Sequence, residues 1–422
     1  MPAHTPPVMH PVARWLLPAG VDAAAAPLLA ARALRALMDG CVSVLLPSYL
    51  LALGLEPWKV GLLSTATMLG SAFTTLAVGA LGHRFQMQHL LRAAALLMAA
   101  TGAGFAACSS ARDFWPLLAI AFIGTLNPSS GDVSVFLALE QASLAGSARG
   151  HARTALFARY SVVGGVFAAF GALLAGVPGG FAARFGVSQL DALRGLFVVY
   201  AACGVLTWWL YAGLGARQAH APVDEEAPAR AALGPSRGTV VRLAALFSID
   251  AFAGGLILNS LLSLWLMERF GLSPAQSGAF FFATGLLSAA SQLCAPWVAQ
   301  RIGLLNTAVF THIPSSVCLM LAALAPDVAV ALSLLLVRSA LSQMDVPVRA
   351  AFVMAVVTPA ERTAAASFTA VPRSLAAALS PSLGGALFAA GWLAAPLLAC
   401  GVLKIGYDLA LWRAFRRHEP VQ

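Results

Sequence analysis

The chain has 422 residues, of which 59% are apolar and 10% charged, against roughly 45–50% and about 25% in soluble domains. The excess apolar surface is more than soluble cores can hide and must face lipid, which excludes an ordinary soluble enzyme; a mean hydropathy of +0.81 agrees. A formal charge of +9 would suggest nucleic acid in a soluble protein, but the 24 Arg and two Lys stand in short clusters between apolar runs, with no basic arm or aromatic–basic stripe, so a nucleic-acid partner is excluded.

Residues 1–26 open with MPAHTPPVMHP, a short polar tail without a charged region ahead of an apolar stretch or a cleavage site, and so not a signal peptide. Twelve apolar runs follow, at about 27–53, 58–80, 88–108, 114–143, 153–177, 191–214, 241–268, 275–299, 304–324, 328–356, 362–387 and 392–413. Each is near the ~20 residues a helix needs to cross the hydrocarbon. They are too long and continuous for barrel strands, so the expected fold is an all-α membrane protein of twelve transmembrane helices. The longest polar stretch, 215–240, separates a first six-helix half (27–214) from a second (241–413), and 414–422 form the tail. The six cysteines are scattered in apolar surroundings with no CxxC pair, so no disulfide framework, metal or cofactor is expected.

With both termini cytoplasmic, the inner loops and span ends hold 16 of the Lys and Arg and the outer side five: Lys59, Arg112, Arg184, Arg194 and Arg269. Cytoplasmic loops retain positive charge, so this bias predicts inside termini. The remaining five cations, Arg159, Arg338, Arg349, Arg373 and Lys404, fall within spans.

The halves repeat one another. Gly54-Leu55-Glu56-Pro57, with Gly61 and Arg84, recurs as Gly271-Leu272-Ser273-Pro274, with Gly278 and Arg301, at a shift of 217. Asp132-Val133 recurs as Asp345-Val346 at 213, Arg153-Thr154 as Arg362-Thr363 at 209, and Ala202-Cys203-Gly204-Val205-Leu206 as Ala399-Cys400-Gly401-Val402-Leu403 at 197. Four matches in one order point to a duplicated unit whose loops have changed length.

Two tandem six-helix halves, cytoplasmic termini and a long central inner loop resemble the major facilitator superfamily over nearly the whole chain. The family's loop between spans 2 and 3 is matched by Gly79-Ala80-Leu81-Gly82-His83-Arg84-Phe85-Gln86 and, in the second half, by Val298-Ala299-Gln300-Arg301-Ile302-Gly303. The Arg is kept in both copies, whereas His83 and Gln300 replace the family's Asp, whose gating role does not carry over. Arg84 is expected to pair with Glu140 near the inner end of span 4. The resemblance implies a pseudo-symmetric transporter working by alternating access, with spans 1, 4, 7 and 10 around a central cavity.

Each of those four spans carries an aspartate: Asp39, Asp132, Asp250 and Asp345. A charge at the bilayer centre costs about 2.5–3.5 kcal/mol on insertion scales and marks a functional candidate. Spans 4 and 10 are also interrupted beside these acids, by Asn127-Pro128-Ser129-Ser130-Gly131 and by Pro347, and matched interruptions point to a transport site. Asn127, Ser129, Ser130 and Asp132 are therefore expected to face Ser339, Ser342, Gln343 and Asp345 across a water-filled path. Asp39 or Asp132 is the expected proton carrier, with Arg159, Arg338 or Arg373 competing for it. The spacing i, i+4 also allows structural pairs at Arg35–Asp39, Asp345–Arg349 and Lys404–Asp408. Phe280–Phe282, Trp265 and Tyr160 suit either packing or contact with an organic substrate.

No sugar-porter mark follows span 6, and the drug-antiporter pattern is missing from span 5; a shadow of it, Ser380-Pro381-Ser382-Leu383-Gly384-Gly385, lies in span 11 and favours export over uptake. No nucleotide-binding loop is present, so a gradient must drive transport. The expected protein is a monomeric, proton-coupled carrier of a small molecule in the cytoplasmic membrane of a high-GC bacterium. The rival reading is a sensor or assembly protein that has kept the fold without transport. No Ser-His-Asp, HExxH or Cys-His set supports an enzyme.

Overall fold

The computed structural model describes residues 17, 21–22, 25–129, 134–145, 147, 150–214, 234–358 and 361–416. Among them the chain is helical and carries no strand. Its helices are α1 (Ala25–Ala52), α2 (Pro57–Leu81), α3 (Met87–Ala107), α4 (Phe114–Ile123), α5 (Val135–Ala145), α6 (Gly150–Leu173), α7 (Val177–Phe185) and α8 (Gln189–Ala212). After residue 234 come α9 (Arg237–Gly255), α10 (Asn259–Phe270), α11 (Pro274–Ile302), α12 (Leu304–Ala323), α13 (Val328–Ser342), α14 (Asp345–Ala355), α15 (Arg362–Ala389) and α16 (Ala395–Phe415). Nine helical segments of the described residues are long and apolar enough to cross a membrane: Pro57–Leu81, Met87–Ala107, Ala155–Phe185, Gln189–Ala212, Arg237–Phe270, Pro274–Ile302, Leu304–Ala323, Val328–Ala355 and Ala395–Phe415.

The repeated Gly-Leu-x-Pro segments fold alike. Gly54 and Gly271 both take left-handed backbone (φ +79° and +67°), which glycine adopts without a Cβ penalty. Pro57 and Pro274 then stand at the first turn of the following helix, where a missing N–H costs nothing. Ser273 adds a capping box with Gln276, whereas Glu56 makes no side-chain cap.

Spans 4 and 10 are interrupted: helix stops at Ile123 and residues 124–129 are not helical, and helix stops at Ser342 and resumes at Asp345, so that Pro347 lies in the first turn of α14 just after the break. A third break, between Gly255 and Asn259, has no proline. It falls where Gly255 packs on the Ala377 carbonyl and the Ser380 hydroxyl with no room for a Cβ. Freed backbone groups are re-paired there, since the Ser260 N–H donates to the Pro128 carbonyl at 3.2 Å, linking the α9–α10 break to the α4–α5 break.

Helix α3 packs along α8, α1 along α6, α9 along α15, and α12 against α13 and α16. The contacts joining α1–α8 to α9–α16 run through α2 with α15, α6 with α11, and α1 with α10. The residues that make them lie at one end of the bundle, the end bearing Gly54 and Gly271. Gly61 sits against Pro381 and Gly385, with a Cβ at Gly61 2.9 Å from the Gly385 Cα; Gly278 sits against Ala172 and Gly285 against Ala169. Hydrogen bonds reinforce the same end: Ser382 N to Thr65 Oγ1 (3.0 Å), Ser263 Oγ to the Val44 carbonyl (2.9 Å), and Ser64 with Ser260 (3.3 Å). Small residues let backbones approach and hydroxyls bridge them, which is how helices associate where lipid offers no hydrophobic drive.

Near the opposite end, Glu361 ties the start of the second set of helices to the turn before α15. Its carboxylate accepts from Thr358 Oγ1 (2.6 Å), Gly234 N (2.6 Å) and Ser236 N (3.3 Å). The Ser236 and Thr358 side-chain hydrogen bonds, with the backbone donors, hold this carboxyl below the usual glutamate range. A depressed folded pKa gives stability that is present above the unfolded value and lost as pH falls through the folded one. Amide exchange at Gly234–Arg237 is therefore expected to rise on acidification below about pH 4 in the wild type. In Glu361→Gln it should already be raised at neutral pH and respond little to acid; exchange insensitive to both changes would refute the anchor.

Candidate functional site

Two buried ionic clusters occupy the membrane-level core. In the first, Glu140 of α5 is fully buried and is held by Arg35 of α1. The hydroxyls of Tyr160 (α6) and Tyr211 (α8) each donate to it at 2.5 Å, and the Arg35 guanidinium lies 4.1 Å over the Phe136 ring. One carboxylate thus gathers four helices, with its charge neutralised by Arg35 and both oxygens accepting hydrogen bonds.

This replaces the pairing expected from the sequence. Arg84 stands exposed in a short 3-10 turn after α2 and does not meet Glu140. Arg35, expected to pair four residues along its own helix, reaches a partner 105 residues away. An i, i+4 pair leaves both groups on one helix face, whereas the Arg35 guanidinium reaches across to Glu140, the carboxylate that also accepts from Tyr160 and Tyr211.

The second cluster is larger. Asp250 of α9 accepts from Arg349 of α14 at 2.7 Å and from Lys404 of α16 at 2.6 Å. Arg349 also reaches Asp345 at 3.2 Å. Lys404 Nζ lies 3.3 Å from His312 Nε2 on α12, and His312 Nδ1 lies 3.0 Å from Asp408 of α16. The chain of contacts Asp345–Arg349–Asp250–Lys404–His312–Asp408 therefore joins α9, α12, α14 and α16. The three acids, Arg349 and His312 are all buried. Phe247 packs 5.4 Å from the Arg349 guanidinium, and Tyr407 meets the His312 ring edge-on at 6.3 Å.

The geometry assigns the histidine tautomer. An ammonium only donates, so a neutral His312 accepts from Lys404 at Nε2 and donates from Nδ1 to Asp408. Asp250 Oδ1 stands 4.0 Å from the same Nε2. The expected i, i+4 pair Lys404–Asp408 is not made, because each residue finds a closer partner on another helix, Asp250 for Lys404 and His312 for Asp408; Asp345–Arg349 is made, and shares Arg349 with Asp250.

The other expected site residues fall as follows. Asn127 is buried at the end of α4, where its Oδ1 accepts from Ser129 N (3.1 Å) and Oγ (2.7 Å) and so caps the break locally. Ser130 and Asp132 lie outside the described residues. Asp39 and Arg159 are half-buried in α1 and α6. Gln343 accepts from Gln292 of α11 at 3.3 Å, while Ser339 turns back on the Leu335 carbonyl. Arg338 does not join the ionic chain; it lies within electrostatic reach of Cys318 and Cys400, on the α12 and α16 side of its helix. Arg301 stacks 3.9 Å over Trp297 and is exposed. Arg373 of α15 is exposed. Trp265, Phe280 and Phe281 are buried packing, and Tyr160 serves Glu140. His312 is legible in the sequence only as a mid-span histidine suited to packing or a cavity, and Tyr211 is not singled out there. One signal was available for the latter: the 197-residue shift that aligns the last span of each half also aligns Tyr211 with Asp408, and each holds a buried polar partner.

Comparison with known proteins agrees with this architecture. An uncharacterized membrane protein of Saccharomyces cerevisiae is 24% identical over 409 residues, covering 90% of this chain and 91% of its own. A bacterial homolog of the human lysosomal transporter Spinster, in an inward-facing and unoccupied conformation, superposes with a TM-score of 0.71 at 15% identity, covering 97% of this chain and 98% of its own. The xylose transporter XylE from E. coli, inward open, does so with a TM-score of 0.69 at 16% identity over 92% and 96%. The Major Facilitator Superfamily family model matches residues 28–344 and 243–422. With a family match over nearly its whole length and transporter folds as structural neighbours, the chain belongs to the major facilitator superfamily.

Proposed function

We propose that this protein is a proton-coupled secondary transporter of a small molecule. Its twelve spans form two six-helix halves around a path open at the Arg84/Arg301 end. Nine helical segments of the described residues are long and apolar enough to cross, two of them continuing across the breaks at 256–258 and 343–344, and α1, α15 and the α4–α5 pair are the other three of the proposed twelve. The repeated Gly54 and Gly271 turns support two equivalent halves. Contacts between those halves at the Gly54/Gly271 end support an opening at the other, which positive charge marks as cytoplasmic. Two structural neighbours, the bacterial Spinster homolog and XylE, are likewise inward-facing and inward-open.

The observation that carries the coupling is the charge balance of the Asp345–Arg349–Asp250–Lys404–His312–Asp408 chain. Three carboxylates face two permanent cations, so one proton on His312 brings the set to neutrality. That proton would occupy Nε2, where Lys404 now donates. It would turn the ring toward Asp250 and release Lys404 from one of its two partners, loosening α16 from α12. Such an exchange of partners on protonation is the bistable element that alternating access needs. Asp39 and Asp132 remain the corresponding candidates in the first half. Export is the proposed direction, on the Ser380–Gly385 segment alone.

Proteoliposomes test this reading. Under a pH gradient, a transported solute should both accumulate and dissipate the gradient, as read by a pH-sensitive dye. His312→Asn should retain solute exchange while losing gradient-driven accumulation. Solute binding with neither flux nor proton movement would refute transport, and wild-type accumulation without proton movement would refute the coupling.

A further inference from the structure

We propose that Arg373 is the substrate's docking cation and that the transported molecule carries an oxyanion, a carboxylate or phosphate; this rests on the transporter reading above. Helix α15 shows where the side chain faces. Taking 100° per residue, Ala370, Arg373, Ala377 and Ser380 share one face. Ala377 and Ser380 touch Gly255 of α9, so that face looks into the protein. The exposed apolar residues Phe368, Val371 and Leu379 lie on the opposite face, where lipid belongs. Arg373 and Ala370 are nevertheless exposed. An exposed residue on an inward-looking face, about 17 Å along a helix rising 1.5 Å per residue, borders an internal aqueous space.

Arg373 is also available. The charged groups that act on it are Arg349 first, then Asp250, Asp345 and Tyr407, which places it beside the ionic chain. Yet Asp250 is already shared by Arg349 and Lys404, and Asp345 is taken by Arg349. Among the described residues no carboxylate oxygen lies within 4.0 Å of Arg373. It is thus a spare positive charge facing water in a low-dielectric wall, repelled by Arg349 behind it. Its guanidinium presents five donors in a fork that fits carboxylate or phosphate oxygens two at a time, and such a wall focuses its field on the cavity. Arg338, also a membrane-level cation outside the chain, differs in standing within electrostatic reach of Cys318 and Cys400.

The test uses charged thiol reagents as probes and needs no knowledge of the substrate. In the full-length protein in nanodiscs, Ala370→Cys places a thiol three residues from Arg373 on the same face. Its labelling rate is measured with the anionic sulfonatoethyl and the cationic trimethylammonioethyl methanethiosulfonates, after subtracting the parent protein's rates. Any effect of Arg373 on thiol ionisation is common to both reagents and cancels in their ratio. Relative to a free thiol, the anionic reagent should be favoured about tenfold. Adding Arg373→Gln should remove that preference, and Arg373→Lys should retain it. If Arg373→Gln fails to fold, Ala370→Cys alone decides, since its preference should fall toward one as salt rises to about 1 M. A preference for the cationic reagent, a preference unchanged by Arg373→Gln or by salt, or a thiol reached by neither reagent would overturn the proposal. Flux on the same protein separates the two readings: an anion preference without flux refutes the transporter alone, and flux without the preference refutes the role of Arg373 alone.

Discussion

Asp250→Ala is expected to be the most damaging single substitution in the second half, lowering stability by about 3–5 kcal/mol. Asp250 is the shared acceptor of Arg349 and Lys404, at 2.7 and 2.6 Å, so its removal leaves Lys404 facing only a histidine and Arg349 only Asp345. The cost is that of uncompensated buried charge, and the net worth of the pair itself is smaller. The double variant Asp250→Ala/Lys404→Met should therefore recover most of the loss, because it removes an acid and a cation together. Thermal unfolding of the four members of this cycle in detergent measures the coupling directly. Equal losses in the single and double variants would show that Asp250 and Lys404 do not stabilise one another.

A second large effect is expected at the packed end. Gly61 has no space for a side chain, since a Cβ there meets the Pro381 carbonyl and the Gly385 backbone. Gly61→Leu should force α2 from α15. Overpacking costs typically about 1–3 kcal/mol, and a difference of that size between two conformations shifts their ratio by about 5- to 150-fold. Because the collision exists only when this end is closed, the shift favours the conformation open at the Gly54/Gly271 end. A thiol at Ser64→Cys, now beside Ser260 at 3.3 Å, should then label from that side at least about tenfold faster. Gly61→Ala should produce a smaller change of the same sign. Unchanged labelling in Gly61→Leu would mean that the α2–α15 contact is not a gate.

The ionic core shows how far local sequence carries. Asp345–Arg349 is one helical turn apart and is found together, because i, i+4 spacing brings two side chains to one face whatever surrounds the helix. The same spacing misled at Lys404–Asp408. There a buried partner on another helix, Asp250 for Lys404 and His312 for Asp408, offers an interaction that a same-face neighbour does not supply. The acids at 39, 132, 250 and 345 are legible as polar residues in apolar runs, but which cation each meets depends on how the helices are turned. The degenerate loop around Arg84 invited a pairing by family resemblance; Arg84 is exposed, whereas Glu140 is fully buried among Arg35, Tyr160 and Tyr211.

Read along the chain alone, the residues specify a helical membrane protein of the facilitator type, with interrupted helices near Asn127 and Pro347 and repeated Gly-Leu-x-Pro turns. Hydropathy, proline and left-handed glycine act through local backbone and solvation physics, which a linear reading contains. Folding in three dimensions, by contrast, joins Asp250, Lys404, His312 and Asp408 in one chain, rests the break at 256–258 on α15, and leaves Arg373 without a carboxylate among the described residues. Those outcomes turn on rotations and crossings of helices distant in sequence, set by close backbone contacts such as Gly61 on Gly385 and Gly255 on Ala377. No local pattern records them, because each is a choice among partners that only folding brings within reach.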